Sequence, residues 1–259
     1  MISVVIITKN EAHILAKTLK AVSILTSDIV IGDTGSTDNT IAIAQQFNAN
    51  ILNITWQGFG HAKNAVVAAA KNNWVLTLDA DEVPTPALIA ELKGLPLKNN
   101  KQLFIVKFKN YIGNKKLVYG DWTNVQKVRL FNKQFTRWEN KPIHESVIRP
   151  SGFETVTLKN NLNHYCHKDV IDYATKMTYY GNEMATRYHT ENKKASFFKK
   201  FVYPFFLFLY NFIFRLGFLD GSIGFVAAYM SAFYVFIKYN RLQELNNLKN
   251  KNKHESTIN

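Results

Sequence analysis

The chain has 259 residues, 47% of them hydrophobic, and a formal net charge of +13. That length accommodates one domain of ordinary size with an appendage, and the apolar content excludes wholesale disorder. The single cysteine, Cys166, excludes an intramolecular disulfide framework and fits a reducing compartment.

Met1 leads directly into a β-branched run at residues 4–7 with no basic leader, so no signal peptide is expected. The run reads as a buried strand, ended by Thr8-Lys9-Asn10-Glu11. Residues 12–22 place Ile14, Leu15, Leu19 and Val22 on one helical face. A second strand, 28–32, runs into Asp33-Thr34-Gly35-Ser36-Thr37-Asp38-Asn39-Thr40. Gly35 permits a tight turn, and Ser36 or Thr37 is placed to cap a helix beginning near Asn39. A third strand is expected at 50–54 and a third helix at 60–70.

Residues 74–78 form an apolar run that stops at Asp79, Asp81 and Glu82, ahead of Val83-Pro84 and Pro86. Open α/β sheets hold their ligands at the carboxyl ends of the strands. Asp79 and Asp81, alternate residues at such an end, can share a polar ligand. Hard oxygen donors with few neighbours suit Mg²⁺ or Mn²⁺ held partly by substrate phosphates. An acidic turn capping the next helix is the plain alternative. The repeated strand–helix alternation predicts an α/β fold with a mostly parallel sheet, flanked by helices and joined by right-handed crossovers.

Beyond Pro96 the pattern changes to strands at 103–109, 126–131, 147–148 and 155–158, with 117–119 as a hairpin partner across Gly113-Asn114. Lys127 and Arg129 alternate on one strand and so face the same way, open to a diphosphate, an anionic acceptor or simply solvent. Residues 169–191 read as an exposed helix. Two aromatic, apolar runs follow at 201–219 and 221–239, each near the roughly 20 residues a spanning helix needs. Asn211 and Arg215 inside the first would be expensive in a bilayer. A pair of interfacial or re-entrant helices joined at Leu219-Asp220-Gly221 is therefore preferred over two spanning helices or a protein-buried pair. Between residues 193 and 253, ten Lys and Arg face only Asp220 and Glu244. This excess borders Phe-rich sequence and carries no nucleic-acid motif, which favours an anionic membrane surface over nucleic acid. The tail after Leu248 reads as disordered.

Three segments together, Val4-Val5-Ile6-Ile7-Thr8-Lys9-Asn10-Glu11, Asp33-Thr34-Gly35-Ser36-Thr37-Asp38-Asn39-Thr40 and Leu78-Asp79-Ala80-Asp81-Glu82, resemble those of family 2 glycosyltransferases. His144-Glu145 and Gly217-Phe218-Leu219-Asp220-Gly221 are similar to the branch of bacterial lipopolysaccharide-core glucosyltransferases. The resemblance implies a GT-A fold and an inverting enzyme that uses a nucleotide-diphosphate sugar. The expected organisation is a catalytic domain at 1–165, a connecting helix at 166–192, a membrane-associated helical region at 193–248 and a tail at 249–259.

By the same resemblance, Asp33 accepts from the uracil edge, and Thr8, Asn10 and Glu11 line the base and ribose pocket. An Asx turn with Gly35 would explain Asp33 as well, and both roles can hold. Lys63 stands where the family has a basic residue near the nucleotide; Lys in place of the commoner Arg leaves a point charge without bidentate contact. A solvated helix lysine is the alternative. Asp79 contacts the ribose or a metal-bound water, and Asp81 ligates the divalent metal, Mn²⁺ or Mg²⁺. An inverting transfer needs one base for the acceptor hydroxyl. Glu145 is the first choice, with His144 orienting it or the acceptor, and Asp121 is the rival. His164 is open as an additional metal ligand.

The expected function is transfer of a hexose, glucose first, from a UDP-sugar to a lipopolysaccharide-core or other lipid-linked acceptor. The expected location is the cytoplasmic face of the bacterial inner membrane, peripheral or re-entrant. One alternative is transfer to a protein or peptide, with the C-terminal helices forming a homodimer surface. The other is a non-catalytic nucleotide-sugar-binding or membrane scaffold, which has no need of both the acidic triad and Glu145.

Overall fold

Seven consecutive buried residues, Ile2–Thr8, form β1, with apolar side chains on both of its faces. Such a strand needs cover on each side, and the helices supply it. In the computed structural model, residues 1–141 and 145–258 are described, with side chains through Lys249. The chain divides into one unit of residues 1–109 and 124–165, and a second of residues 110–123 and 166–259.

In the first unit, α1 (Ala12–Val22) buries the expected face of Ile14, Leu15, Leu19 and Val22. Then follow β2 (Ile29–Asp33), α2 (Thr40–Gln46), β3 (Asn50–Asn53), α3 (Phe59–Ala69) and β4 (Trp74–Asp79). The strands β1 to β4 pair in parallel in the order β3-β2-β1-β4. The chain moves outward from β1 to β3 and returns to the other side of β1 with β4. This reversal opens a crevice at the strand ends that carry Thr8, Asp33 and Asp79.

After β4 the chain forms β5 (Glu82–Pro84) and α4 (Pro86–Lys93), rather than the alternative of an acidic turn that caps the next helix. Thr85 Oγ1 accepts from the Leu88 amide and caps α4, so Glu82 is not the helix-terminal carboxylate. Beyond it lie β6 (Gln102–Ile112), β7 (Lys115–Lys116), β8 (Gln126–Asn132) and β9 (Glu154–His167). β8 lies antiparallel to β4 and to β6, and β5 is antiparallel to β9. The sheet is thus mixed: parallel through β4, where helices alternate with strands, and antiparallel beyond, where they do not. β9 extends nine residues past the expected 155–158, because its polar Lys159-Asn160-Asn161 breaks the apolar alternation that marks a strand. The Glu91 carboxylate accepts both the Lys159 and Asn160 amides there.

The second unit packs α5 (Val170–Thr190), α6 (Tyr203–Leu209) and α7 (Ser222–Ile258). Single π-helical turns at Phe198–Val202 and Tyr210–Phe214 flank α6. Its core joins Ile112 and Leu117 to Tyr173, Ala227 and Met230. This explains why residues 110–123, expected in the catalytic domain, belong here instead. The Asp220 carboxylate accepts the amides of Val118 and Tyr119, each at 2.9 Å. The hairpin partner of β6 is β7, two residues earlier than the expected 117–119. Gly224 is required by close approach, since a Cβ there would lie 1.9 Å from the Gly217 carbonyl. α7 continues through the tail that the sequence reads as disordered.

Candidate active site

Thr8 ends β1 with its hydroxyl buried and without a hydrogen-bond partner among the described residues. A buried hydroxyl at a strand end is suited to receive a ligand, because leaving it unmade is costly. Asp33 ends β2 and closes an Asx turn: its Oδ2 accepts the amides of Gly35 and Ser36, both at 3.0 Å. Gly35 sits at φ +97°, a conformation that suits glycine. Asn10, itself at φ 56°, accepts from the Thr37 amide at 2.8 Å and gives its own amide to Ser36 Oγ. Ser36 and Thr37 therefore tie the two strand-end loops together, and neither caps α2. The Glu11 amide donates to Thr40 Oγ1, which fixes the start of α1 against α2. Thr8, Asn10, Glu11 and Asp33 lie at the neighbouring ends of β1 and β2.

A second group lies beside it. Lys63 on α3 is 4% exposed, so it is not a solvated helix lysine. Its Nζ lies 3.1 Å from Asp79 Oδ1 and 2.7 Å from Glu145 Oε1, and 4.5 Å from the centre of the Trp138 ring. Arg129, 1% exposed, gives Nε to Glu82 Oε2 at 2.8 Å and Nη2 to Glu82 Oε1, and reaches Asp79 Oδ2 at 3.2 Å. The result is a chain of alternating charge: Glu145, Lys63, Asp79, Arg129, Glu82. Arg129 was expected to face a diphosphate or acceptor with Lys127. Its guanidinium is instead committed to a bidentate pair with the fully buried Glu82, while Lys127 is exposed. Burial alone would raise the Asp79 carboxyl, but Lys63, Arg129 and Lys127 hold it well below the usual carboxylate range.

α3 also places Glu145. The Asn64 side chain donates to the Trp138 carbonyl and accepts the Trp138 amide, both at 3.0 Å. Gly60 lets the helix start abut this loop, and its amide donates to the Lys141 carbonyl. Glu139 N donates to the Ser146 carbonyl and Trp138 bridges Val147, so Glu145 sits immediately before the paired residues of the returning segment. His144 lies outside the described residues. Asp121 belongs to the second unit, where it pairs with Arg215 at 3.0 Å and with Asn211.

Asp81 Oδ2, in the turn between β4 and β5, and His164 Nε2, on β9, are 3.5 Å apart. An oxygen and a nitrogen donor at this spacing fit a divalent cation whose remaining ligands come from a diphosphate. Asp79, held between two cations, has less to offer a metal. Among the described residues no three His, Cys, Asp or Glu side chains converge as a self-sufficient metal site. Sequence reasoning missed the Lys63–Glu145 and Arg129–Glu82 pairs, for nothing local signals partners 82 and 47 residues apart.

Residues 3–157 match the family model for glycosyl transferase family 2. A glycosyltransferase of Rickettsia conorii is 30% identical over 97% of this chain and 92% of its own length. A lipopolysaccharide core biosynthesis glycosyltransferase of Rhizobium meliloti is 25% identical over 96% of this chain and 94% of its own. Among solved structures, glucosyl-3-phosphoglycerate synthase from Mycobacterium tuberculosis overlaps 43% of this chain and 44% of its own, at 25% identity and a TM-score of 0.36.

Proposed function

The chain belongs to glycosyl transferase family 2, and from that premise we propose that this glycosyltransferase moves a hexose, glucose first, from a UDP-sugar to a lipopolysaccharide-core or other lipid-linked acceptor. The observation that carries the reading is the meeting of two groups at the ends of the parallel strands. Thr8 and Asp33 stand on one side, and Glu145 stands on the other, tied to Asp79 through Lys63. The printed name of the Rhizobium relative supports the acceptor class.

In this proposal Thr8, Asn10, Glu11 and Asp33 bind the uridine. Asp79, fixed by Lys63 and Arg129, orients the ribose. Asp81 and His164 hold the divalent cation, Mn²⁺ or Mg²⁺. When bound, the metal neutralises charge on the departing diphosphate. Lys63 occupies Glu145 Oε1, and Oε2 accepts the acceptor's hydroxyl proton. The acceptor oxygen bonds to the sugar's anomeric carbon as the bond to phosphate breaks on the opposite face. The anomeric centre is inverted and UDP leaves.

The second unit supports attachment to the cytoplasmic face of a bacterial inner membrane. Phe197 and Phe214 are more than 70% exposed, and Phe205 and Phe206 nearly 60%, beside Lys193, Lys194, Lys199 and Lys200. Exposed aromatics rimmed by lysines suit an anionic lipid interface, each lysine adding about 1 kcal/mol. Within α7, Ser222–Lys249 is long and apolar enough by composition to cross a membrane. However, α5, with its Asn182 accepting from Arg241 and its Gly181 against Ile237, lies along that helix. A polar neighbour of that kind favours lying on the membrane over spanning it.

The test combines both claims. The protein is mixed with anionic phospholipid vesicles carrying a Gram-negative core lipid extract and labelled UDP-glucose, then floated. Protein and labelled lipid are expected together in the floating fraction. Vesicle-bound protein that labels no lipid with any UDP-hexose would contradict the acceptor assignment.

A further inference from the structure

A cleft of about 510 Å³ opens beside Glu145, walled by Lys127, Arg129, Trp138, Ser146 and Arg149. Its size suits one or two sugar rings. The register of β4 with β8 sets Leu76 opposite Leu130, and carried onward it brings Lys127 level with Asp79. The cleft thus lies on the β8 side of the strand ends, away from β1 and β2, where Thr8 and Asp33 stand.

Its charges do not cancel. Arg129 and Lys63 are shared among Glu82, Asp79 and Glu145, Lys127 acts on Asp79 through space, and Glu139 pairs with Lys141 at 3.0 Å. Lys127 and Arg149 are both exposed, and no carboxylate pairs with either among the described residues. Lys127 Nζ lies 5.7 Å from the centre of the Phe108 ring. Arg149, with Lys127 making no direct ion pair among the described residues, gives a cleft backed by buried Val128, Trp138 and Val147 a positive edge toward whatever enters.

We propose that this cleft is the acceptor site and that it selects an anionic acceptor, a sugar bearing a phosphate or carboxylate held by Lys127 and Arg149 with its free hydroxyl presented to Glu145. This rests on the glycosyltransferase reading above and adds the acceptor's charge. Arg149 supplies a planar fork that takes such an anion bidentately, and Lys127 a mobile point charge that adapts to its position.

The test is calorimetric titration of the full chain with glucose, glucose 6-phosphate and glucuronate, each with and without UDP and Mn²⁺. The phosphate and carboxylate arms identify which anion is preferred. At least one anionic sugar is expected to bind about tenfold or more tighter than glucose. The double variant Lys127→Ala/Arg149→Ala is expected to lose that preference and keep its UDP affinity. Lys98→Ala, exposed and distant in sequence, is expected to change neither. Equal binding of neutral and anionic sugars overturns the inference, as does a preference that survives the double variant. Loss of UDP affinity with anion affinity overturns it too, because the cleft then holds the donor's diphosphate. Failure of the wild type to bind UDP strikes the donor reading instead, and the anion preference is still read from the titrations without UDP.

Discussion

Glu145→Gln is expected to lower kcat by about 10²–10⁴-fold, the usual contribution of a positioned base, while UDP affinity stays within about twofold. Glutamine retains the oxygen that accepts from Lys63 Nζ at 2.7 Å, so the anchor of α3 to the 138–147 loop is preserved. Only the ability to take a proton is removed. If Glu145 were merely the counter-ion of Lys63, the substitution would cost stability and leave kcat near wild type. Steady-state kinetics alongside UDP titration separates the two, and retained kcat would return Glu145 to a structural role.

Arg129→Met carries the largest expected effect on stability, a loss of about 3–5 kcal/mol in urea unfolding. Glu82 is fully buried, and without the guanidinium its charge is left uncompensated. Asp79 loses one of its two close cations at the same time. Glu82→Met/Arg129→Met, which removes both charges at similar volume, is expected to recover much of the loss. Equal losses in the single and double variants would mean that packing against Phe108 and Trp138, not charge, dominates at this position. The sign of the pH dependence follows from Asp79. Its carboxyl titrates below the ordinary range, so its stabilising contribution is complete above about pH 4 and disappears only as pH falls further.

The parallel half of the fold was legible because each of its strands is a short apolar run followed by a periodic helix. Asp33 was legible twice over, as an Asx turn and as a strand-end carboxylate, and the turn is formed. β9 was not, since its Lys and Asn residues are satisfied by the distant Glu91 carboxylate. Arg129 and Lys127 show the limit at the site. Strand alternation puts both on one face, but only the three-dimensional fold decides that Glu82 claims one and leaves the other exposed. Lys63 is the same lesson on a helix: local pattern cannot separate a solvated lysine from one buried between two carboxylates. Arg215 and Asn211, polar residues inside an apolar run, both meet Asp121.

The central claim is that the ends of β1, β2 and β4 bind a uridine diphosphate through a metal held by Asp81 and His164. Calorimetric titration of UDP and GDP, with Mn²⁺ and with EDTA, on wild type and Asp81→Ala tests it most directly. UDP binding that requires the metal, exceeds that of GDP and is lost in Asp81→Ala is the expected result. UDP binding that is indifferent to EDTA and to Asp81→Ala would contradict the metal assignment, and well-folded protein that binds no UDP would contradict the donor site itself.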